Sequence, residues 1–210
     1  MPSPASPQTF SLGVILLAAG SSSRMGRPKM LLPWGATSVI GHLIAQWKSL
    51  EAEQIAVVCG VGDEAMNDEL ERLGFPKEHR ILNPSPERGM FSSIQCAARW
   101  TGCKAELTHW AVVLGDQPHL RPKTLRALLE FAVAQPQKIC LPFQGGHRRH
   151  PVLLPETAFR RLQKSTAQDL KEFLQSEHLA LCEMDDPGLD LDIDRPEDYE
   201  RAVQHFLQKE

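Results

Sequence analysis

The 210-residue chain has five cysteines, at positions 59, 96, 103, 140 and 182, and no C-x-x-C pair among them. An odd number without that spacing argues against a disulfide framework or a zinc site, so they read as reduced, mostly buried thiols. No apolar run approaches the roughly 20 residues that a membrane-crossing helix needs. Residues 1–9 carry no lysine or arginine, so the apolar stretch 12–19 lacks the positive flank of a secretory signal. The net charge is −3, without the basic excess of a nucleic-acid binder. There is no internal repeat, no low-complexity segment, and no evident Ser-His-Asp or Cys-His grouping for nucleophilic catalysis. These absences lead to the expectation of a cytoplasmic protein with neither nucleic acid nor membrane as partner. Its length suits one buried core. Residues 1–10 are expected to form a poorly ordered tail and 11–210 a single domain.

What is present alternates regularly. Apolar runs at 14–19, 55–59 and 110–114 read as buried strands, and 81–82 as a short one. Helical spacing marks 38–50, 64–73 (ending at Gly74), 90–100 and 124–134, the last after Pro122. Helices at about 155–163 and 167–176, a strand near 179–183 and a helix from Pro196 complete the chain. This alternation predicts an α/β fold, a doubly wound and mostly parallel sheet. Residues 138–154 break the pattern with two short strands around a Gly/basic turn, and are expected to form a small inserted β-hairpin. Trp34, Trp47 and Trp100 fit core or interface alike.

The most informative segment runs from Leu16 to Lys29, LLAAGSSSRMGRPK. An apolar strand ends in a Gly/Ser loop whose small residues let backbone N–H groups approach a phosphate, while Arg24 and Lys29 supply positive charge. The loop is no Walker A, because Arg27-Pro28-Lys29 follows Gly26, and its glycine spacing is wrong for a dinucleotide fingerprint. Taken alone, it also fits an ordinary turn with two surface cations. Asp116 follows the strand at 110–114, where open α/β sheets bind ligands. A carboxylate there suits Mg²⁺, which takes one or two carboxylates beside phosphate oxygens, and equally suits a turn before Pro118. In LDLDIDRPED, alternation places Asp190, Asp192 and Asp194 on one face of an extended segment, where they repel one another unless a cation is near. Asp192 is expected to be the second metal ligand, and Asp194 a helix cap or a ligand. His147 and His150 have no nearby thiol or carboxylate to make a zinc set, so 147–150 reads better as a basic lip for an anionic second substrate.

LLAAGSSSRMGRPKMLLPWG resembles the signature of the molybdenum cofactor nucleotidyltransferases, within the Rossmann-like nucleotidyltransferases, and in particular their cytidylyltransferase branch. The resemblance runs from about residue 12 to 207. DIDRPEDY is similar to the family's closing motif, with arginine where threonine is more common. Residues 83–94, NPSPERGMFSSI, resemble the loop and helix that close over the base, and their Ser-Ser pair looks like the cytidylyl branch. The resemblance implies Mg²⁺-dependent transfer of CMP from CTP to the phosphate of molybdopterin cofactor, with release of pyrophosphate and possible delivery to a molybdoenzyme. It implies catalytic roles for Arg24, Lys29 and Asp116, with Lys29 at the α-phosphate and Arg24 at the β- and γ-phosphates. The nucleotide would be bound by Leu17, Ala18, Ala19, Gly20, Ser21, Arg24, Lys29, Asn83, Gly89, Ser92 and Ser93, the acceptor by His147, Arg149 and His150, and the metal by Asp116 and Asp192. Two departures lie where the acceptor should bind: Arg149 stands where the family usually has glycine, and residues 164–169 lack a frequent acidic/glycine/basic run. Transfer from GTP or to a sugar phosphate is the alternative within the same chemistry. A non-catalytic cofactor-delivery protein is the alternative outside it.

Overall fold

Strands covered by helices on both faces must be apolar on both faces, and the three central runs of the sequence meet that condition. The structure is a computed structural model that describes residues 10–207. In it β1 (Leu12–Leu17) lies between β4 (Gln54–Gly60) and β6 (His109–Leu114), parallel to both. β5 (Arg80–Asn83) continues the parallel set beyond β4. Beyond β6, β9 (Val152–Pro155) runs antiparallel between β6 and β7 (Ile139–Gln144), and β10 (Leu179–Glu183) closes that side parallel to β7. The order is β10-β7-β9-β6-β1-β4-β5, with β8 (His147–Arg148) paired to β7. A second small hairpin joins β2 (Pro33–Trp34) to β3 (Thr37–Ser38).

Successive side chains of β1 point to opposite faces. Val14 and Leu16 enter one core with α1 (Val39–Ser49), α2 (Glu64–Arg72), α4 (Pro122–Val133) and α7 (Pro196–Leu207). Ile15 enters the other with α3 (Met90–Arg99), α5 (Glu156–Leu162) and α6 (Leu170–Gln175). Local chemistry starts these helices: Ser38 accepts from the Gly41 amide, Asp63 from Met66 and Asp169 from Glu172, while Pro122 occupies the first turn of α4. Trp34 and Trp47 are buried in the first core, and Trp100 packs on His79 with ring centroids 5.7 Å apart.

The mostly parallel sheet is as expected, and so is a hairpin across Gly145 and Gly146. The strands expected to form that insert also belong to the central sheet, where β9 is an antiparallel member. Of the expected tail, Phe10 is described, and its ring lies 4.6 Å from that of His109; the remainder lies outside the described residues. Among the described residues no helix is long and apolar enough to cross a membrane. Burial raises the thiols of Cys59, to about 12, and Cys140, to about 11, which keeps both protonated.

Candidate active site

Parallel strands deliver their carboxyl ends to one edge of a sheet, and the segments leaving β1 and β6 meet there. Their junction is tight. A Cβ on Gly115 would come within 2.7 Å of the Leu17 carbonyl oxygen and 2.6 Å of Met30 Sδ, so only glycine lets the two strand ends approach. The cleft above them, about 380 Å³, is lined by Leu17, Ala18, Ala19, Gly20 and Ser21 from the loop after β1, and by Lys29, Gly115 and Asp116. Its far wall is the segment before α3 and the first turn of that helix, with Pro86, Glu87, Gly89, Met90 and Ser93. Gly89 turns that wall into the helix at φ 86°, a conformation that favours glycine.

The charged groups at the floor are paired with one another. Lys29 Nζ donates to Asp116 Oδ2 at 2.8 Å and lies 3.6 Å from Asp194 Oδ1. Arg24 Nη2 is 2.9 Å from Asp194 Oδ2 and remains largely exposed at the mouth. The Lys29 amide donates to Ser22 Oγ at 3.1 Å, which folds the loop back on itself. Ile193 N–H donates to the Asp116 carbonyl at 3.0 Å, so the segment before α7 is tied to the end of β6. Asp192 accepts from Gln117 Nε2 at 2.8 Å. Its carboxyl is raised above the usual range by burial, then by the charge of Asp116, with Gln117 and Lys29 opposing. By surface area the residue as a whole is nonetheless exposed.

Asp116 Oδ1 is buried and accepts no hydrogen bond. An orphaned carboxylate oxygen beside a second carboxylate is a donor set that fits a hard divalent cation. Among the described residues no group of three His, Cys, Asp or Glu could hold a metal, so a cation here would complete its shell with water or phosphate oxygens.

Not every expected residue faces this cleft. Asp190 does not share a face with the other two aspartates, because residues 187–190 form a 3-10 turn rather than an extended run. Its carboxylate instead pairs with Arg149 and accepts from Gln144 Nε2 at 2.8 Å. Asp194 is engaged by the two cations, and the start of α7 is capped by Asp198, whose Oδ2 accepts from the Arg195 and Asp194 amides at 2.9 and 3.3 Å. Asn83 is buried and holds the wall together: Nδ2 donates to Ser92 Oγ and Ser93 Oγ, and Oδ1 accepts from the Ser85 amide. Ser92 Oγ is turned to the carbonyls of Ser85 and Gly89, while Ser93 lines the cleft.

A second cleft of about 620 Å³ adjoins the first at Met90. Leu141, Val152, Leu170 and Leu174 form an apolar floor; Arg148, Arg149 and Lys171 supply positive charge at the rim beside His147 and His150, with Asp169 among them. Burial pushes the His150 imidazole below its ordinary value, against a hydrogen bond with Val112 and the charge of Asp116.

Residues 14–181 match the MobA-like NTP transferase domain. The chain belongs to the MobA-like NTP transferase family. It is a nucleotidyltransferase. The chain is 24% identical over 201 residues to the molybdenum cofactor cytidylyltransferase of Escherichia coli, covering 94% of this chain and 98% of that protein. It is 33% identical over 124 residues to the bifunctional protein GlmU of Cereibacter sphaeroides, covering 58% of this chain and 26% of GlmU, so it spans about a quarter of that relative. The structure of Rv0371c from Mycobacterium tuberculosis H37Rv in complex with manganese shares the fold, with a TM-score of 0.65 and 23% identity over 93% of this chain and 98% of that one. Gly115 and Gln117 flank Asp116 in the chain; the apolar run ending in Gly-Asp signals the first, and no local signal points to the second.

Proposed function

We propose that this nucleotidyltransferase moves CMP from CTP to the phosphate of molybdopterin cofactor, in the cytoplasm, with Mg²⁺ and with release of pyrophosphate. The observation that carries the reading is the unpartnered Asp116 Oδ1 beside Lys29 and Asp192, on the floor of a loop-lined cleft that opens into a basic one. The loop at 17–21 and the wall at 89–93 hold the nucleotide between them. Lys29 lies against the α-phosphate and Arg24 against the β- and γ-phosphates, where charge gathers on the leaving group. Asp116 and Asp192 hold the metal, which when bound neutralises phosphate charge. Arg149, His147 and His150 receive the acceptor. Its phosphate oxygen attacks the α-phosphorus, a bond to that oxygen forms, and the bond to the pyrophosphate oxygen breaks. The attacking phosphate is already ionised, so the neutral His150 need not take a proton.

The aliphatic floor of the acceptor cleft suits the flat face of a ring system, with the charged rim left for its phosphate. The test is pyrophosphate release with Mg²⁺ and purified molybdopterin cofactor, offering CTP, GTP, ATP and UTP in parallel. Release with CTP alone, lost in Asp116→Asn, is the expected result. Release with GTP alone, or with a sugar phosphate in place of molybdopterin, would overturn the choice of substrates while keeping the chemistry. Nucleotide binding without release under any combination would favour a cofactor-delivery protein.

A further inference from the structure

Asp192 stands on an irregular segment between the 3-10 turn at 187–190 and α7, and no regular element fixes its side chain. Two hydrogen bonds join the segment to the end of β6: Ile193 N–H to the Asp116 carbonyl, and Gln117 Nε2 to Asp192 Oδ1 at 2.8 Å. The first places the backbone. The second alone reaches the carboxylate, and among the described residues no hydrogen bond reaches Asp192 Oδ2.

Gln117 is an unusual residue to find in that place. It is 4% exposed although it follows a strand by three residues, and its own Oε1 is buried with no partner. Burying an unsatisfied amide oxygen costs stability, and an apolar side chain of similar volume would avoid that cost. The reversed amide would set Oε1 against a carboxylate oxygen, so the contact with Asp192 fixes which end points inward. The amide is thus spent on aiming one carboxylate.

We propose that Gln117 is a positioning residue for the metal: it holds Asp192 Oδ1 so that Oδ2 is left to the cation shared with Asp116. This rests on the reading above that Asp116 and Asp192 hold a divalent cation. Loss of such an outer partner typically weakens metal affinity about 10- to 100-fold.

The experiment uses Mn²⁺ as the probe, with the free ion followed by electron paramagnetic resonance in the presence of CTP and without acceptor. Wild type, Asp192→Asn, Gln117→Met and Gln117→Ala are titrated, with metal-free CTP binding and thermal unfolding measured on each. Gln117→Met keeps the volume and removes the donor, so it tests the proposal if the alanine variant fails to fold. The expected result is Mn²⁺ affinity lower by about tenfold or more in Gln117→Met, with metal-free CTP affinity unchanged, and transfer activity restored by raised Mg²⁺. Mn²⁺ binding weakened in Asp192→Asn but unchanged in folded Gln117→Met would overturn the role of Gln117 alone. Equal Mn²⁺ affinity in wild type and Asp192→Asn would overturn the two-carboxylate reading, and the role of Gln117 with it.

Discussion

If Asp116 holds a divalent cation as proposed, Lys29 competes with it for the same carboxylate, and replacing it by methionine should shift two properties in opposite directions. Its ammonium is 2.8 Å from Asp116 Oδ2 and 3.6 Å from Asp194 Oδ1, and the lysine and Asp116 side chains are only 16% and 20% exposed. At an effective dielectric of about 20, the nearer contact alone is worth about 6 kcal/mol of gross Coulomb attraction. Desolvation offsets most of that, but a divalent cation approaching Asp116 in the nucleotide-free protein must still displace the ammonium or accept its repulsion. If only a quarter of the gross term survives, removing Lys29 raises nucleotide-free Mn²⁺ affinity about tenfold, since about 1.4 kcal/mol is a factor of ten. Transfer should move the other way, losing about 10²–10³ in kcat, as expected when a donor to developing charge is removed. The assay is a Mn²⁺ titration of Lys29→Met without nucleotide, beside steady-state pyrophosphate release. Unchanged or weaker Mn²⁺ binding in the variant would refute the reasoning, whatever the rate does.

Gly115→Ala should separate the strand ends and cost about 1–3 kcal/mol, because its Cβ meets backbone at the Leu17 carbonyl as well as Met30; thermal unfolding and CTP binding should both fall. Arg149→Gln should raise the KM for molybdopterin cofactor about tenfold or more with the KM for CTP unchanged, the expected loss of one charged hydrogen bond, and steady-state kinetics with each substrate varied would check it. His42, His109 and His150 are each held below the ordinary value of 6.5 by burial, so the unfolded chain binds their protons first as pH falls. Their contribution is intact above that value and is lost as pH drops below it towards the folded values; the unfolding temperature should decline from pH 7.5 to 5.5, and a flat profile would contradict this.

The sheet was legible where burial on both faces leaves one signature. The runs that became β1, β4 and β6 are apolar without alternation, and Gly, Ser or Asp stops each at the cleft edge. The same property hides direction: residues 152–154 read as buried strand, but nothing in Val-Leu-Leu tells that β9 runs antiparallel between β6 and β7. The loop carrying Arg24 and Lys29 was legible as a Gly/Ser turn closing a buried strand, but its two cations alone fit a surface turn as well. Gln117 was not, since its partner lies 75 residues away. The aspartate ladder misled for a local reason. Alternation predicts extended chain, whereas Pro187 begins a 3-10 turn that rotates Asp190 out towards Arg149. Asn83 is placed at the nucleotide by the resemblance alone, and in the structure its amide donates to Ser92 and Ser93 within the cleft wall.

The pairing of charges on the cleft floor also bears on what the site will accept. Lys29 and Arg24 face Asp116 and Asp194, with Asp192 beside them, so the nucleotide-free protein has already matched most of its cations to anions. A triphosphate arriving alone would gain the two cations but meet three carboxylates they no longer offset. A divalent cation arriving alone would gain the carboxylates but meet an ammonium 2.8 Å from one of them. Arriving together, each ligand takes the partner the other releases, and no charge is left bare in a partly buried site. On the proposed reading, the arrangement would therefore favour a metal–triphosphate complex over either component, through the same residues proposed to act in the transfer step.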